Sequence, residues 1–218
     1  AYIDMTGFES LYGDMQVTAE RLQKEVKDVT GLSCAVGIAR CKVVAKVASD
    51  FKKPGGITNV LDKEREFLFP LPIRSLPSIG PKMQEALNSM GIKTVGKIAN
   101  LDKQVMEKLF GKFGVCVWNY ANAIDKSKVK LSREVKSVGR ERTFKEDVIE
   151  YEVVHKSLVY VLERALYDMR RKNIKARTVN LKLRYSDFKT VTRAKTIEIG
   201  DTFTHFYPIV KKLLDNIW

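Results

Sequence analysis

A polar stretch near the middle of the chain, DKSKVKLSRE at positions 125–134, constrains the fold more than any other feature. It has no apolar periodicity, and charged or hydroxyl side chains fill most of its positions, so it cannot supply a hydrophobic core. Different apolar patterns lie before and after it. We interpret the stretch as a tether between separately packed units.

The region before the tether begins with an α/β pattern. The spacing of its apolar residues predicts a strand over 2–6, a helix over 15–29, a buried strand over 33–39 and an amphipathic helix over 42–51. The last helix ends at the turn Lys53-Pro54-Gly55-Gly56. This order indicates an α/β segment over residues 1–70.

A small all-helical unit follows. The run FLFPLP at 67–72 contains two prolines and reads as a linker with apolar anchors. Short helices are predicted over 81–90, 95–100 and 103–110, and a longer one over 112–124.

The region after the tether has an α+β pattern. It predicts a strand over 137–144, a helix over 151–171, strands over 179–185 and 190–199, and a final helix with Asp201 as its N-cap. One more strand would complete such a unit. The fold class expected for the whole chain is therefore multidomain, combining α/β, all-helical and α+β parts.

The charge is unevenly distributed along the chain. The formal net charge is +13, and residues 1–70, 71–134 and 135–218 carry 0, +6 and +7. A strongly basic surface attracts polyanions, of which nucleic acid is the commonest, although a basic surface with no ligand would have the same composition. The function classes favoured are therefore those with an anionic partner.

Other composition features predict that the chain has no transmembrane helix and favour a reducing compartment. The longest run without a charged residue is the 12 positions 113–124, too short to span a bilayer. The three cysteines are odd in number and form no CxxC pair, which favours a cytoplasmic location. Because the chain has no initiator Met, we expect it to be a piece of a longer protein.

The most informative local motif is LPSIGPK at 76–82. A small-residue hairpin before a helix exposes backbone N–H groups that bind a phosphate without reading a base. Pro81 suits the first helical position, and Lys82 adds a charge beside the same phosphate. This pattern resembles a helix-hairpin-helix element, and an ordinary αα-hairpin is the alternative.

Two further groups of cations are candidates for anion binding. Lys53, held by its proline turn, could reach a polyphosphate, or it could be a solvated turn lysine. Lys182 and Arg184 share a strand face, and the next strand offers Arg193 and Lys195. These side chains suit a duplex backbone, or they form the solvated face of a sheet.

The order of several sequence blocks makes the resemblance specific. AYIDMTG at 1–7, the segment from TGLSCAVGIAR to KKPGGI at 30–57, LPSIGPKM at 76–83, KSVGRERTF at 136–144 and LKLRYSDFKTVTRAKTI at 181–197 follow one another as in Y-family translesion DNA polymerases. The chain most resembles the DNA polymerase IV branch. The resemblance implies the end of the palm for 1–70, the thumb for 71–126, a linker for 127–134 and the little finger for 135–218.

The resemblance also implies a function and a set of site residues. The family extends primer-template DNA with deoxynucleoside triphosphates, using a pair of Mg²⁺ ions. Lys53 matches the lysine that contacts the triphosphate, and Asp4 would support the metal ligands without binding metal. The implied DNA contacts are Ser78, Ile79, Gly80 and Lys82 in the hairpin, and Ser137, Gly139, Arg140, Arg142, Lys182, Arg184 and Arg193 in the little finger.

The chain departs from the family pattern at two positions: Cys41 stands where the family has asparagine, and Ser78 replaces the first hairpin glycine. The metal-binding carboxylates are expected upstream of Ala1 and the last little-finger strand beyond Trp218, so this chain alone is expected to be inactive. A sliding clamp is a further partner that the resemblance allows. Two alternatives stay open: a non-catalytic paralogue of the family, and a structural helix-hairpin-helix DNA-binding protein.

Overall fold

The computed structural model describes residues 1–132 and 134–218 and divides into two compact units, Ala1–Leu131 and Ser132–Trp218. Arg133, which belongs to the predicted linker, lies outside the described residues. Among the described helices, none is both long enough and apolar enough to cross a membrane.

The first unit combines a small parallel sheet with short helices. Its elements are helices α1 (Glu9–Tyr12), α2 (Met15–Thr30), α3 (Lys42–Phe51), α4 (Glu64–Leu68), α5 (Pro81–Ser89), α6 (Val95–Ala99) and α7 (Lys103–Ala121), strands β1 (Val36–Ile38) and β2 (Ile57–Asn59), and a 3₁₀ turn (Ile73–Ser75). The helices predicted over 15–29 and 42–51 are confirmed.

Helix α3 packs directly on the sheet. Its apolar face buries Val44, Val47 and Ala48. A Cβ atom at Gly37 in β1 would collide with the backbone of α3, so this position requires glycine. Glycine at this position therefore allows α3 to pack directly against β1.

The predicted strand over residues 2–6 is wrong, and strand β2 was missed. The structure assigns no strand to 2–6, whereas β2 pairs in parallel with β1 and places Ile57 opposite Val36. Residues 2–6 have a strand-like composition, but a strand needs a backbone partner, and none of the described residues pairs with this segment. The three residues of β2 are too few to show a period.

The predicted linker over 67–72 is partly helical. Helix α4 continues through Leu68, whose side chain is fully buried, and the chain leaves the helix just before Pro70. Phe67 and Leu68 pack into the core of the unit, which stabilises the helix up to this point. The prolines that follow cannot continue a helix, but they do not prevent a helix from ending just before them.

The two helices predicted over 103–110 and 112–124 form one kinked element, α7. The kink lies at Gly111, where φ is 62° and ψ is −149°. Only glycine adopts this conformation readily. The second part ends at Ala121, three residues earlier than predicted.

The second unit is a helical layer on a two-stranded antiparallel sheet. It contains α8 (Tyr151–Arg171), β3 (Ala176–Arg184), β4 (Thr190–Gly200) and α9 (Phe203–Asp215). The core joins α8 and α9 to one side of the sheet, and its members include Leu158, Leu162, Leu166, Phe206, Val210, Leu214, Val179, Leu181 and Leu183. The helix predicted over 151–171 is confirmed.

Two predictions in this unit are wrong. Residues 137–144 carry no strand assignment, although Val138 and Phe144 pack against the core. The N-cap of α9 is Thr202 rather than Asp201. Composition can indicate a strand-like or capping segment. Whether the segment forms a strand depends on backbone pairing, and which residue is the N-cap depends on how the chain enters the helix.

Candidate nucleic-acid interface

The hairpin before α5 has the geometry of a phosphate-binding loop. Ser78 adopts a left-handed conformation with φ of 78°, and Gly80 is the N-cap of α5. Between them, the Ile79 side chain is buried in the core of the first unit. The hairpin is therefore anchored through Ile79, while Ser78 and Gly80 lie exposed on either side of it.

The backbone at Gly80 can be approached closely. A Cβ atom at this position would meet nothing within 4 Å. Because Pro81 occupies the first helical position, Lys82 and Met83 supply the first N–H groups of α5. These donors, the helix dipole and the exposed Lys82 side chain together favour an anion at this end of the helix.

Lys53 lies in the turn after α3 and forms an exposed ion pair. Its Nζ lies 2.6 Å from Asp50 Oδ1, and Lys46 Nζ donates to Asp50 Oδ2 at 2.8 Å. Hydrogen bonds from Lys46 and then Lys53 lower the pKa of Asp50. Such exposed pairs contribute only about 0–1 kcal/mol, so Lys53 can exchange its partner for another anion at little cost.

The first turn of α3 is capped from a distant part of the chain. Cys41, its N-cap, makes no side-chain capping bond, and the Val43 N–H donates instead to Asp125 Oδ2 at 3.2 Å. Lys42 Nζ donates to the carbonyl oxygen of Lys128 at 3.0 Å. The beginning of the predicted tether is therefore bound to α3.

Asp125 is held in its ionised form by this arrangement. Partial burial alone would raise the pKa of the carboxyl, but hydrogen bonds from Ser127 and Val43 outweigh burial and lower it. The Cys41 thiol lies 3.5 Å from the carbonyl oxygen of Ala123, and burial raises its pKa.

Asp4 lies in an exposed local turn. Its Oδ1 accepts a hydrogen bond from the Thr6 N–H at 3.1 Å, and the bonds with Thr6 lower its pKa. Lys42 Nζ lies 5.7 Å from the centre of the Tyr2 ring, so the N-terminal segment runs beside the start of α3. Lys53 follows the other end of this helix. The N-terminal segment and Lys53 are therefore separated by the ten residues of α3, a length of about 15 Å.

One face of the second unit's sheet is open and polar. The pairing places Lys182 opposite Thr192 and Arg184 opposite Thr190, and residues directly opposite in an antiparallel pair share a face. Arg184 Nε donates to Thr190 Oγ1 at 3.1 Å. Because Leu181 and Leu183 pack on the helical layer, the alternating Lys182 and Arg184 point away from it.

The expectation that Arg193 and Lys195 join this face is wrong. The register places Arg193 opposite Leu181 and Lys195 opposite Val179, so both cations lie on the side that carries the helices. Both remain exposed. The cations of the two strands therefore occupy opposite sides of the sheet.

Arg140 and Arg142 also turn toward the helices. Arg140 Nε donates to Asp168 Oδ2 at 2.6 Å, and the guanidinium carbon of Arg142 lies 5.5 Å from the centre of the Tyr160 ring. Both partners belong to α8. Ser137 and Gly139 alternate with these side chains and are exposed.

The sequence analysis missed two carboxylates, one on the open face of the sheet and one at the start of α3. Glu141 pairs with Lys182 on the open face, and the hydrogen bond with Lys182 lowers the pKa of Glu141. Asp125 caps α3. Because Glu141 alternates with Arg140 and Arg142, the sequence indicates that its side chain points to the opposite side of the chain from theirs. Nothing in the local sequence identifies the partner of Glu141 or of Asp125.

Family models match most of the chain. The impB/mucB/samB family model matches residues 1–50, the IMS family HHH motif matches 62–92, and the impB/mucB/samB family C-terminal domain matches 135–218. The motif match includes the Ser78–Gly80 hairpin.

Curated proteins resemble the chain over almost its whole length. DNA polymerase IV of Desulfatibacillum aliphaticivorans is 34% identical over 98% of this chain and 56% of that protein. DNA polymerase IV of Alkaliphilus oremlandii is 38% identical over 91% of this chain and 50% of that protein. The chain spans about half the length of the curated relatives it matches.

Solved structures share the fold. A Y-family DNA polymerase chimera aligns with a TM-score of 0.86 and 22% identity, covering 99% of this chain and 62% of that one. A post-insertion binary complex of Dbh DNA polymerase aligns with a TM-score of 0.60 and 21% identity, covering 98% and 62%. The mixed fold class predicted from the sequence is confirmed.

Proposed function

Because the chain belongs to the impB/mucB/samB family of Y-family DNA polymerases, we propose that it is part of a template-directed translesion DNA polymerase of the polymerase IV type. In this proposal residues 1–70 are the end of the palm, 71–126 the thumb, 127–134 a linker and 135–218 the little finger. The whole protein would be a DNA-directed DNA polymerase that acts in DNA repair.

The observation that carries the proposal is the geometry of the hairpin. Ile79 anchors it, Gly80 leaves the backbone open, and Lys82 lies in the first turn of α5. A phosphate bound there would accept hydrogen bonds from backbone N–H groups, which do not discriminate between bases. A polymerase that extends any primer needs contacts of this kind.

The open face of β3 and β4 would supply a second contact with the duplex. Lys182 and Arg184 provide charge, and Thr190, Thr192 and the exposed Ser137 provide hydroxyl groups for phosphate oxygens. Gly139 would allow close approach of the backbone, because a Cβ there would meet nothing within 4 Å. Arg140, Arg142 and Arg193 turn to the helical side, and they would reach the same duplex only around the edge of the sheet.

Lys53 is the residue that we assign to the incoming nucleotide. Its exposed pair with Asp50 is easily exchanged for a triphosphate, whose charge is larger. A lysine there would stabilise negative charge that develops on the pyrophosphate. Asp4, bonded to Thr6, would act only by supporting its neighbours.

Mg²⁺ belongs to the proposal only at the level of the whole polymerase. Within residues 1–132 and 134–218, no group of three or more histidine, cysteine or acidic side chains could hold a metal ion. The described residues therefore do not fit a metal site, and no step of this chain's chemistry is assigned to Mg²⁺. A cytoplasmic location and a sliding-clamp partner remain predictions.

Duplex binding by the purified chain tests the proposal. Affinity for duplex DNA should be independent of sequence and should fall with salt with a log–log slope of about −0.9 per phosphate contact. Arg184→Glu should flatten this slope by at least about 0.9, because Arg184 lies on the open face.

Lys24→Glu is the matched control, because Lys24 is an exposed cation in α2 within the neutral first segment. It should leave the slope unchanged. Equal effects of the two charge reversals, or no binding to duplex DNA, would refute the proposed DNA contact.

A further inference from the structure

The outward side of α8 carries exposed aromatic rings among arginines. We call Tyr160, Arg164, Tyr167 and Arg171, with Arg142 beside them, the α8 ridge. The tyrosines are 47% and 52% exposed. On the opposite side of the helix, Leu158, Leu162, Leu166 and Met169 are buried in the core, so the tyrosines are not needed to fill it.

The cations of the ridge are organised around its first ring. The guanidinium carbons of Arg142 and Arg164 each lie 5.5 Å from the centre of the Tyr160 ring. Arg164 comes from α8 itself and Arg142 from the segment that precedes it, so two parts of the chain bring charge to one ring. The neighbouring Asp168 is already paired with Arg140.

A shallow cavity beside the ridge extends it toward α9. Tyr160, Tyr167, Arg170 and Phe203 line this cavity, and Glu163 is its one carboxylate among the described residues. The surface is therefore both aromatic and positively charged, with room for a flat group next to the rings.

The spacing of the rings matches a stacked nucleic-acid strand. Tyr160 and Tyr167 are seven residues apart on one helix, which corresponds to about 10 Å along its axis. Successive bases of one strand rise by about 3.4 Å, so the two rings would meet bases about three nucleotides apart. In a duplex the bases already stack on each other, and exposed rings cannot reach their faces.

We propose that the α8 ridge binds single-stranded nucleic acid, with bases stacked on Tyr160 and Tyr167 and phosphates on Arg142, Arg164 and Arg171. Aromatic platforms combined with cations bind single strands with little sequence preference, because every base has a π-face. The ridge lies in the helical layer, on the other side of the sheet from Lys182 and Arg184. This binding therefore goes beyond the duplex contact and does not depend on it.

Fluorescence anisotropy with a short labelled oligothymidylate and the full chain tests the ridge. Tyr167→Ala should weaken single-strand binding by about 5- to 150-fold, the range that loss of one stacked base corresponds to. Tyr167→Phe keeps the ring and should retain most of the affinity. Arg164→Gln should flatten the log–log salt dependence by about 0.7.

Tyr12→Ala is the matched control, because Tyr12 is 53% exposed but belongs to the first unit. It should leave single-strand affinity unchanged, and circular dichroism should confirm that each variant is folded. Duplex binding should be unaffected by Tyr167→Ala, so the ridge and the duplex contact can fail independently.

Three results would overturn the proposal. One is an equal loss in the Tyr12 and Tyr167 variants, and another is unchanged oligothymidylate binding when Tyr167 becomes alanine. The third is polyglutamate binding as tight as oligothymidylate binding, with the same dependence on Tyr167, which would identify the ridge as a site for acidic peptides.

Discussion

Ser78 offers a direct test of how the hairpin is built. This residue has φ of 78°, in the left-handed region that disfavours side chains with a Cβ by about 1–2 kcal/mol. Ser78→Gly would remove that cost, but glycine gives the unfolded chain additional freedom worth about 0.4–1 kcal/mol. We therefore expect the substitution to stabilise the first unit by about 0.5–1 kcal/mol.

The corresponding change in Tm follows from the size of the unit. Ala1–Leu131 should unfold with an entropy of about 2.1 cal/mol/K per residue, or about 0.28 kcal/mol/K in total. The expected increase in Tm is about 2–4 °C. The chain has two tryptophans, Trp118 and Trp218, so a Trp218→Phe background leaves Trp118 fluorescence as the reporter of the first unit.

Ser89→Gly is the control for glycine itself. Ser89 is exposed in the last turn of α5, where the backbone is right-handed. Glycine there should lower the free energy of unfolding by about 0.5 kcal/mol and Tm by about 2 °C. A fall in Tm on Ser78→Gly would refute the reasoning, because it would mean that the serine side chain contributes more than its backbone strain costs.

Two further predictions concern Lys53 and Asp125. In a polymerase that contains this chain, Lys53→Ala should lower kcat/KM for the nucleotide by about 10- to 150-fold, because one charged hydrogen bond is lost. Duplex affinity should be unchanged. A fall in kcat/KM that weaker DNA binding explains would contradict the assignment. Asp125→Ala should destabilise the first unit by about 1 kcal/mol at neutral pH, because the α3 cap is lost. Since the folded pKa of Asp125 is lowered, its contribution is present above the unfolded pKa of about 3.9 and is lost as the pH falls through the folded pKa. Urea unfolding of both proteins at pH 7 and at about pH 3 should therefore give a difference that shrinks in acid, and a difference independent of pH would contradict this role.

The sequence determined the elements that depend on local spacing. Helices α3 and α8 begin and end where their apolar residues predict, because each has enough turns for one face to be recognised. Strand β3 follows from the alternation of Val179, Leu181 and Leu183. The hairpin was predicted as well, because proline fixes φ and glycine permits backbone conformations that other residues disfavour, wherever the two occur.

Only the tertiary structure decided which side chains meet. Alternation decides which residues of one strand share a face, but the register decides which residues of the neighbouring strand lie on that same face. Here the register pairs Thr190 with Arg184 across the turn at 185–189. A shift of one residue would have moved Arg193 to the open face beside Lys182. Asp125 likewise caps a helix that begins 83 positions earlier in the chain. Local sequence cannot specify such partners, because the free energy that brings them together comes from packing the rest of the unit.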